Sequence, residues 1–285
     1  MAFPDVLQVV KSAVVGIGLL TDPNDPLSIV IAGTGFIVDP SGLVMTNRHV
    51  AEILMVEREG KVGVRNAIAR GVIFVEKAQP RVVHGRNFER ERGAAPCPII
   101  EVSMPPGPLA KGIDYGNEPD LAVCRMDISG LKKFTDEPLH SLTLGDSSKV
   151  REGDEVGICG FPLGLRIPKG PELHQFTPIA QKGIVAAILP WAGVPNPHAF
   201  QLDIAVNLGS SGSPVFNIET GEVVGIVFAM RVRPEPVQLP RPDGSMQEIA
   251  AVSLPTGLGY AIPSNRYREK VKPVSKLPDL IHPKS

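Results

Sequence analysis

Cysteine is scarce in this chain of 285 residues: only Cys97, Cys124 and Cys159 occur, an odd set with no Cys-x-x-Cys spacing. A disulfide framework is therefore not expected, a thiolate metal site or redox motif gains no support, and a reducing compartment is the simpler reading. Net charge is nearly absent too, since 29 Lys plus Arg against 30 Asp plus Glu leave −1. That balance gives no reason to expect nucleic acid or an anionic membrane as partner. Long hydrophobic runs are also missing. The apolar stretch Val6 to Leu20 is broken by Lys11, follows no basic start and ends at no clear small-residue cleavage site. No run approaches the roughly 18 apolar residues of a membrane span. The stretch reads as a strand of the fold, and the protein as soluble and cytoplasmic.

What the chain has in plenty is turn-forming residues. Gly and Pro number 29 each, about a fifth of the chain against roughly 12% in average usage. Hydrophobic residues make up 43%, enough for a sizeable core. Many tight turns joining short apolar runs favour an all-β protein. Ser12 to Gly18 reads as a strand, and Gly35 to Thr46 as a hairpin whose turn is Asp39-Pro-Ser-Gly42. Further strands are expected at Leu121–Met126, Glu155–Cys159, Gln181–Leu189, Val223–Val232 and Leu258–Ile262. Only Ala51–Glu59 and Asn265–Val271 look helical. The Pro-rich stretches 60–118 and 233–256 both read as insertions that form surface excursions. Residues 136–148 read as a linker, giving halves at 1–135 and 136–270 and a tail at 271–285.

The chemistry concentrates in Leu202-Asp-Ile-Ala-Val-Asn-Leu-Gly-Ser-Ser-Gly-Ser-Pro214, where a strand runs into a loop of Gly and Ser. Such a loop exposes consecutive backbone N–H groups, and a hydroxyl held there sits beside donors suited to an oxyanion. Taken alone it is more often a flexible turn. It is no nucleophile elbow, because Ser213 stands where that motif needs its second glycine. A nucleophilic serine needs a base, and the base an orienting carboxylate. His84, His140, His174, His198 and His282 fall in polar or Pro-rich loops, whereas His49 closes the apolar run Leu43-Val-Met-Thr-Asn-Arg-His. Asp120 opens the apolar strand Asp-Leu-Ala-Val-Cys-Arg-Met126. In isolation each is an ordinary core histidine or strand-start aspartate.

Together the segments resemble the trypsin-like serine peptidases, most closely their HtrA (Deg) branch. The family's G-x-G-F-I and T-N-x-H-V are similar to Gly33-Thr-Gly-Phe-Ile37 and Thr46-Asn-Arg-His-Val50, its D-[IL]-A-[VL] to Asp120-Leu-Ala-Val123, and its serine segment aligns with 202–214 without a gap. Gly221-Glu-Val-Val-Gly-Ile226 and Gly259-Tyr-Ala-Ile-Pro-Ser-Asn265 resemble the downstream motifs, and Leu144-Gly-Asp-Ser looks like another family segment. The order His, Asp, Ser separates this arrangement from α/β-hydrolases and subtilisins.

The resemblance implies two six-stranded antiparallel β-barrels with the site in the cleft between them. It further implies His49, Asp120 and Ser211 as the triad and the N–H groups of Gly209 and Ser211 as the oxyanion hole. Ala205 would form the floor of the specificity pocket, with Phe228, Ala229 and Met230 as a wall. No metal or cofactor is implied. The implied activity is endopeptidase cleavage of extended polypeptides after small aliphatic residues; the alternative is a catalytically silent module used for binding. Ser210 and Ser213 depart from the Asn and Gly of the family. With 20 residues after Asn265, the PDZ domain that HtrA proteins carry there is not expected.

Overall fold

A computed structural model describes residues 2–58, 61–77, 81–83, 86–88, 91–105, 119–135, 137–162, 177–194, 196–241 and 245–268. Helix α1 (Phe3–Ala13) leads into β1 (Val14–Leu20), β2 (Ile29–Asp39) and β3 (Leu43–Thr46). Helix α2 (Arg48–Glu52) follows, then β4 (Met55–Arg58), β5 (Lys61–Val64), β6 (Ala69–Lys77), β7 (Arg81–Val83), β8 (Arg86–Phe88), β9 (Glu91–Ser103) and β10 (Ala122–Met126). The second half contributes β11 (Glu155–Gly160), β12 (Ile179–Leu189), β13 (Ala199–Leu202), β14 (Pro214–Asn217), β15 (Val223–Pro240), β16 (Met246–Pro263) and α3 (Asn265–Arg268). Two closed antiparallel barrels result, ordered β1-β2-β3-β10-β9-β6 and β11-β12-β13-β16-β15-β14. The first shuts where Val15 pairs with Ile73, the second where Ile158 pairs with Val215.

Alternation explains the closure. Each stave turns one face inward, so that Ile17, Ile37, Val44, Ile73, Ile99 and Met126 fill the first barrel. Ile158, Val185, Phe200, Leu202, Val215 and Val227 fill the second. Between β2 and β3 the turn forms as its residues dictate. Asp39 Oδ1 accepts the Ser41 N–H at 2.8 Å, and Gly42 takes φ +94°, open to glycine at little cost.

Three sequence expectations change here. Val6 to Leu20 is not one strand: Val6, Val10 and Ala13 are buried at a helical spacing, and α1 occupies the first half of the run. The second helix lies earlier and is shorter than 51–59, because Met55–Arg58 pairs with Lys61–Val64 as a hairpin. Nor is 60–118 simply an insertion, since β6 and β9 are two of the six staves of the first barrel. Their prolines misled. In β9, Pro96 and Pro98 lie in the part paired to β6, while pairing with β10 covers only Ile99 to Ser103. A residue without an N–H is tolerated where one ladder is absent. Residues 106–118, the C-terminal part of that stretch, lie outside the described residues, as does the tail 271–285.

The 137–148 segment hydrogen-bonds to both barrels. Leu142 N–H donates to Ile37 O at 2.8 Å, and Val223 N–H donates to Thr143 O at 2.8 Å. At its end the Asn265 side-chain amide donates to Asp146 Oδ1 at 2.7 Å, and Ser264 Oγ donates to Gly145 O at 2.7 Å. Asn265 and Ser148 hydrogen bonds hold the Asp146 carboxyl down at about 2. Beyond the second barrel β15 and β16 continue as an exposed two-stranded ribbon, paired from Val232↔Pro255 to Pro240↔Met246. All three cysteines are free and buried. Burial pushes the Cys124 and Cys159 thiols up to about 12 and Cys97 to about 11. Among the described residues no helix is long and apolar enough to cross a membrane.

Candidate active site

His49 and Asp120 meet although 71 positions separate them. Strand β3 ends at Thr46, and Asn47 precedes the single turn of α2, which presents His49. Asp120 stands just before β10, the strand paired to β3 with Ala122 opposite Thr46. The ladder therefore delivers both residues to one rim of the first barrel. Asp120 uses both oxygens: Oδ1 accepts the His49 backbone N–H at 3.0 Å, and Oδ2 lies 2.6 Å from His49 Nδ1. Asn47 Nδ2 donates to the Asp120 carbonyl at 2.9 Å. The aspartate side chain is 19% exposed and the histidine 37%. Such a carboxylate is held by the backbone before it orients the ring. In a neutral ring whose Nδ1–H is directed at Oδ2, Nε2 is the acceptor.

Ser211 comes from the second barrel. Its loop is tight, with Ser210 N–H donating to Asn207 O and Ser213 N–H to Ser210 O, both at 3.0 Å. Gly209 and Gly212 take φ of +87° and +86°, conformations that L side chains rarely adopt. Strand β15 holds the far side, where Gly212 N–H donates to Val227 O at 2.8 Å and Val227 N–H to Ser213 O at 3.0 Å. The near side is held across the barrel interface by Thr34 of β2. Its N–H donates to Ser211 O at 2.8 Å, and its hydroxyl donates to Gly209 O at 2.8 Å.

Thr34 was not singled out from the sequence. The signal was one hydroxyl between two glycines inside the apolar strand β2. Among the described residues the Ser211 hydroxyl makes no hydrogen bond, and the Gly209 and Ser211 N–H groups donate to no protein acceptor.

The remaining expected positions fall as follows. Ala205 is exposed in the segment after β13, while Phe228, Ala229 and Met230 are half-buried on β15. Met230 pairs with Gly259, and a Cβ on that glycine would meet Val206 at 2.3 Å. The segment around Ala205 and the Phe228–Met230 stretch thus flank the same part of β16. Pairing of β15 with β14 reaches only Ile226, so beyond it that edge of β15 has no strand partner among the described residues. Ser210 and Ser213 are buried, and the Ser213 hydroxyl finds no partner. His140 is exposed and His198 half-buried; His84, His174 and His282 lie outside the described residues. A concavity of about 400 Å³ is lined by Gln8, Lys11, Phe74, Glu137 and His140, none of them in the group around Ser211. No cluster of three or more His, Cys, Asp or Glu suited to a metal occurs among the described residues.

Known proteins match much of this sequence. A bovine mitochondrial serine protease HTRA2 is 26% identical over 269 residues, covering 93% of this chain and 41% of the relative. A probable periplasmic serine endoprotease, DegP-like, from Rickettsia prowazekii is 26% identical, covering 86% of this chain and 33% of the relative. The chain thus spans well under half the length of these relatives. Among solved structures, the HtrA-type protease AlgW with a tripeptide superposes with a TM-score of 0.49 at 19% identity, covering 94% of this chain and 62% of that one. The family described as "Trypsin-like peptidase domain" matches residues 33–226, more than half of the sequence, and the chain belongs to that family.

Proposed function

We propose that this chain is a serine endopeptidase in which Ser211 attacks the scissile carbonyl, His49 Nε2 takes its proton, and Asp120 orients the imidazole. The observation that carries this reading is the 2.6 Å contact between His49 Nδ1 and Asp120 Oδ2. It fixes the tautomer that general-base catalysis needs and stabilises the imidazolium once formed. The Gly209 and Ser211 N–H groups serve as the oxyanion hole; their lack of protein acceptors supports that role. One such donor is typically worth about 3–4 kcal/mol in the transition state.

The substrates we propose are extended or unfolded polypeptides. They add as an antiparallel strand along the open edge of β15 at Phe228–Met230. Ala205 supplies no charge for a Lys or Arg side chain, and the Met230 thioether narrows the slot, so cleavage after Val, Ala, Ile, Leu or Thr is expected. Discrimination among these stays loose, because one methylene is worth about 1–3 kcal/mol. Three free buried thiols fit a reducing compartment such as the cytoplasm.

Labelling with a fluorophosphonate probe tests the mechanism. Wild type and Ser210→Ala should label, and Ser211→Ala should not while remaining folded. An unlabelled wild type would favour the silent binding module instead. Cut sites mapped in a digested proteome test the pocket, and a dominant Lys or Arg before the cut would refute it.

A further inference from the structure

The Thr34 hydroxyl does more than fill a strand. Thr34 is completely buried, and every polar atom it owns is engaged. Its hydroxyl donates to Gly209 O at 2.8 Å and accepts the Phe161 N–H at 3.0 Å. Its own N–H donates to Ser211 O at 2.8 Å, and its carbonyl accepts the Thr46 hydroxyl at 2.7 Å. A threonine hydroxyl has one proton to give, and here Gly209 O takes it while the backbone N–H of Phe161 fixes the lone pair. The group has no freedom left. Room for it comes from Gly160, where a Cβ would lie 2.8 Å from Thr34 Oγ1 and 2.0 Å from Ser213 Oγ.

The peptide plane is rigid, so pinning the Gly209 and Ser211 carbonyls also sets the N–H groups of Ser210 and Gly212. The Ser210–Ser211 peptide, which carries the Ser211 N–H, is thereby held between two fixed planes. Thr34 pins two carbonyls, those of Gly209 and Ser211, on either side of the proposed nucleophile. It does so from β2, in the same barrel as His49 and Asp120. We infer that the Thr34 hydroxyl is a positioning residue, a latch across the two barrels that sets the register of Ser211 and its oxyanion donors against the His49–Asp120 pair. The inference rests on the nucleophile reading above and deepens it. Thr34 touches neither substrate nor reacting atoms; it acts through the Gly209 carbonyl.

The test compares Thr34→Val, which keeps shape and loses the hydroxyl, with Thr34→Ser, which keeps the hydroxyl. Fluorophosphonate labelling rates, and kcat and KM on a peptide substrate, are measured on protein shown to be folded by its melting transition. Misplacement by about 1 Å typically costs about 10²-fold in rate, so Thr34→Val should label about 10- to 100-fold more slowly. Because ground-state binding is untouched, KM should stay within about threefold of wild type, and Thr34→Ser should match wild type in both. Should Thr34→Val not fold, Thr34→Ala takes its place under the same criteria. A lowered melting temperature with an unchanged labelling rate would make Thr34 merely structural and overturn the inference. So would a Thr34→Ser variant as slow as Thr34→Val, since packing of the methyl would then be the cause. Failure of the wild type to label would instead remove the nucleophile reading itself, and the latch with it.

Discussion

Replacing Gly212 by alanine is the sharpest probe of how the two barrels meet at Ser211. An added Cβ would lie 1.9 Å from Thr34 O and 2.5 Å from Thr46 Oγ1. Carbon and carbonyl oxygen approach to about 3.3 Å at closest, so the loop must retreat by more than about 1 Å. The backbone there has φ +86°, and a side chain in a left-handed conformation costs about 1–2 kcal/mol. Retreat also weakens two hydrogen bonds, Thr34 N–H to Ser211 O and Gly212 N–H to Val227 O, both 2.8 Å. Each is worth about 0.5–1.5 kcal/mol net, which brings the total to about 2–5 kcal/mol. In a protein of this size that lowers the melting temperature by roughly 3–8 °C. The same displacement should reduce fluorophosphonate labelling at least about 10²-fold. Calorimetry and labelling kinetics on purified Gly212→Ala read both effects. A variant that labels and melts like wild type would show that the serine loop does not bear on Thr34 as described.

Three further outcomes are expected. Asp120→Asn should remain folded and slow labelling by about 10⁴-fold, because the amide favours the wrong imidazole tautomer; turnover comparable to wild type would exclude Asp120 from the triad. Ser213→Ala removes a buried hydroxyl with no partner, so it should be neutral or raise stability by about 1 kcal/mol, measured in urea, while labelling persists. Asp146 has a folded value of about 2, below its ordinary 3.8. The stabilisation it gives is therefore full above about pH 4 and lost as the pH falls towards 2. An acid titration followed by melting temperature should be shallower in Asp146→Asn over that window, and identical curves would remove Asp146 from the acid response.

Most of the staves could be seen in the chain before folding. Alternating apolar residues and turn chemistry act locally, so β2, the Asp39–Gly42 turn, β3, β10 and β11 stand close to where pattern places them. The errors arose where two periods compete over short runs. Val6, Val10 and Ala13 share a helix face, yet the apolar run they begin, interrupted at Gln8, Lys11 and Ser12, carries on into β1. In β9 proline argued for a loop, because only the finished sheet reveals that Pro96 and Pro98 pair to β6 beyond the end of the β10 ladder.

The residue types of the candidate site are likewise written in the sequence: a histidine closing a buried strand, an aspartate opening another, a serine among glycines. Their geometry is not. The contact between His49 and Asp120 exists because β3 and β10 pair in one register, and a slip of one residue would turn either side chain to the other face. The grip of Thr34 on Gly209 spans 175 positions and needs both barrels closed and docked. Local propensity can place a threonine in a strand, but which carbonyl its hydroxyl meets is decided by the packing of one barrel against the other.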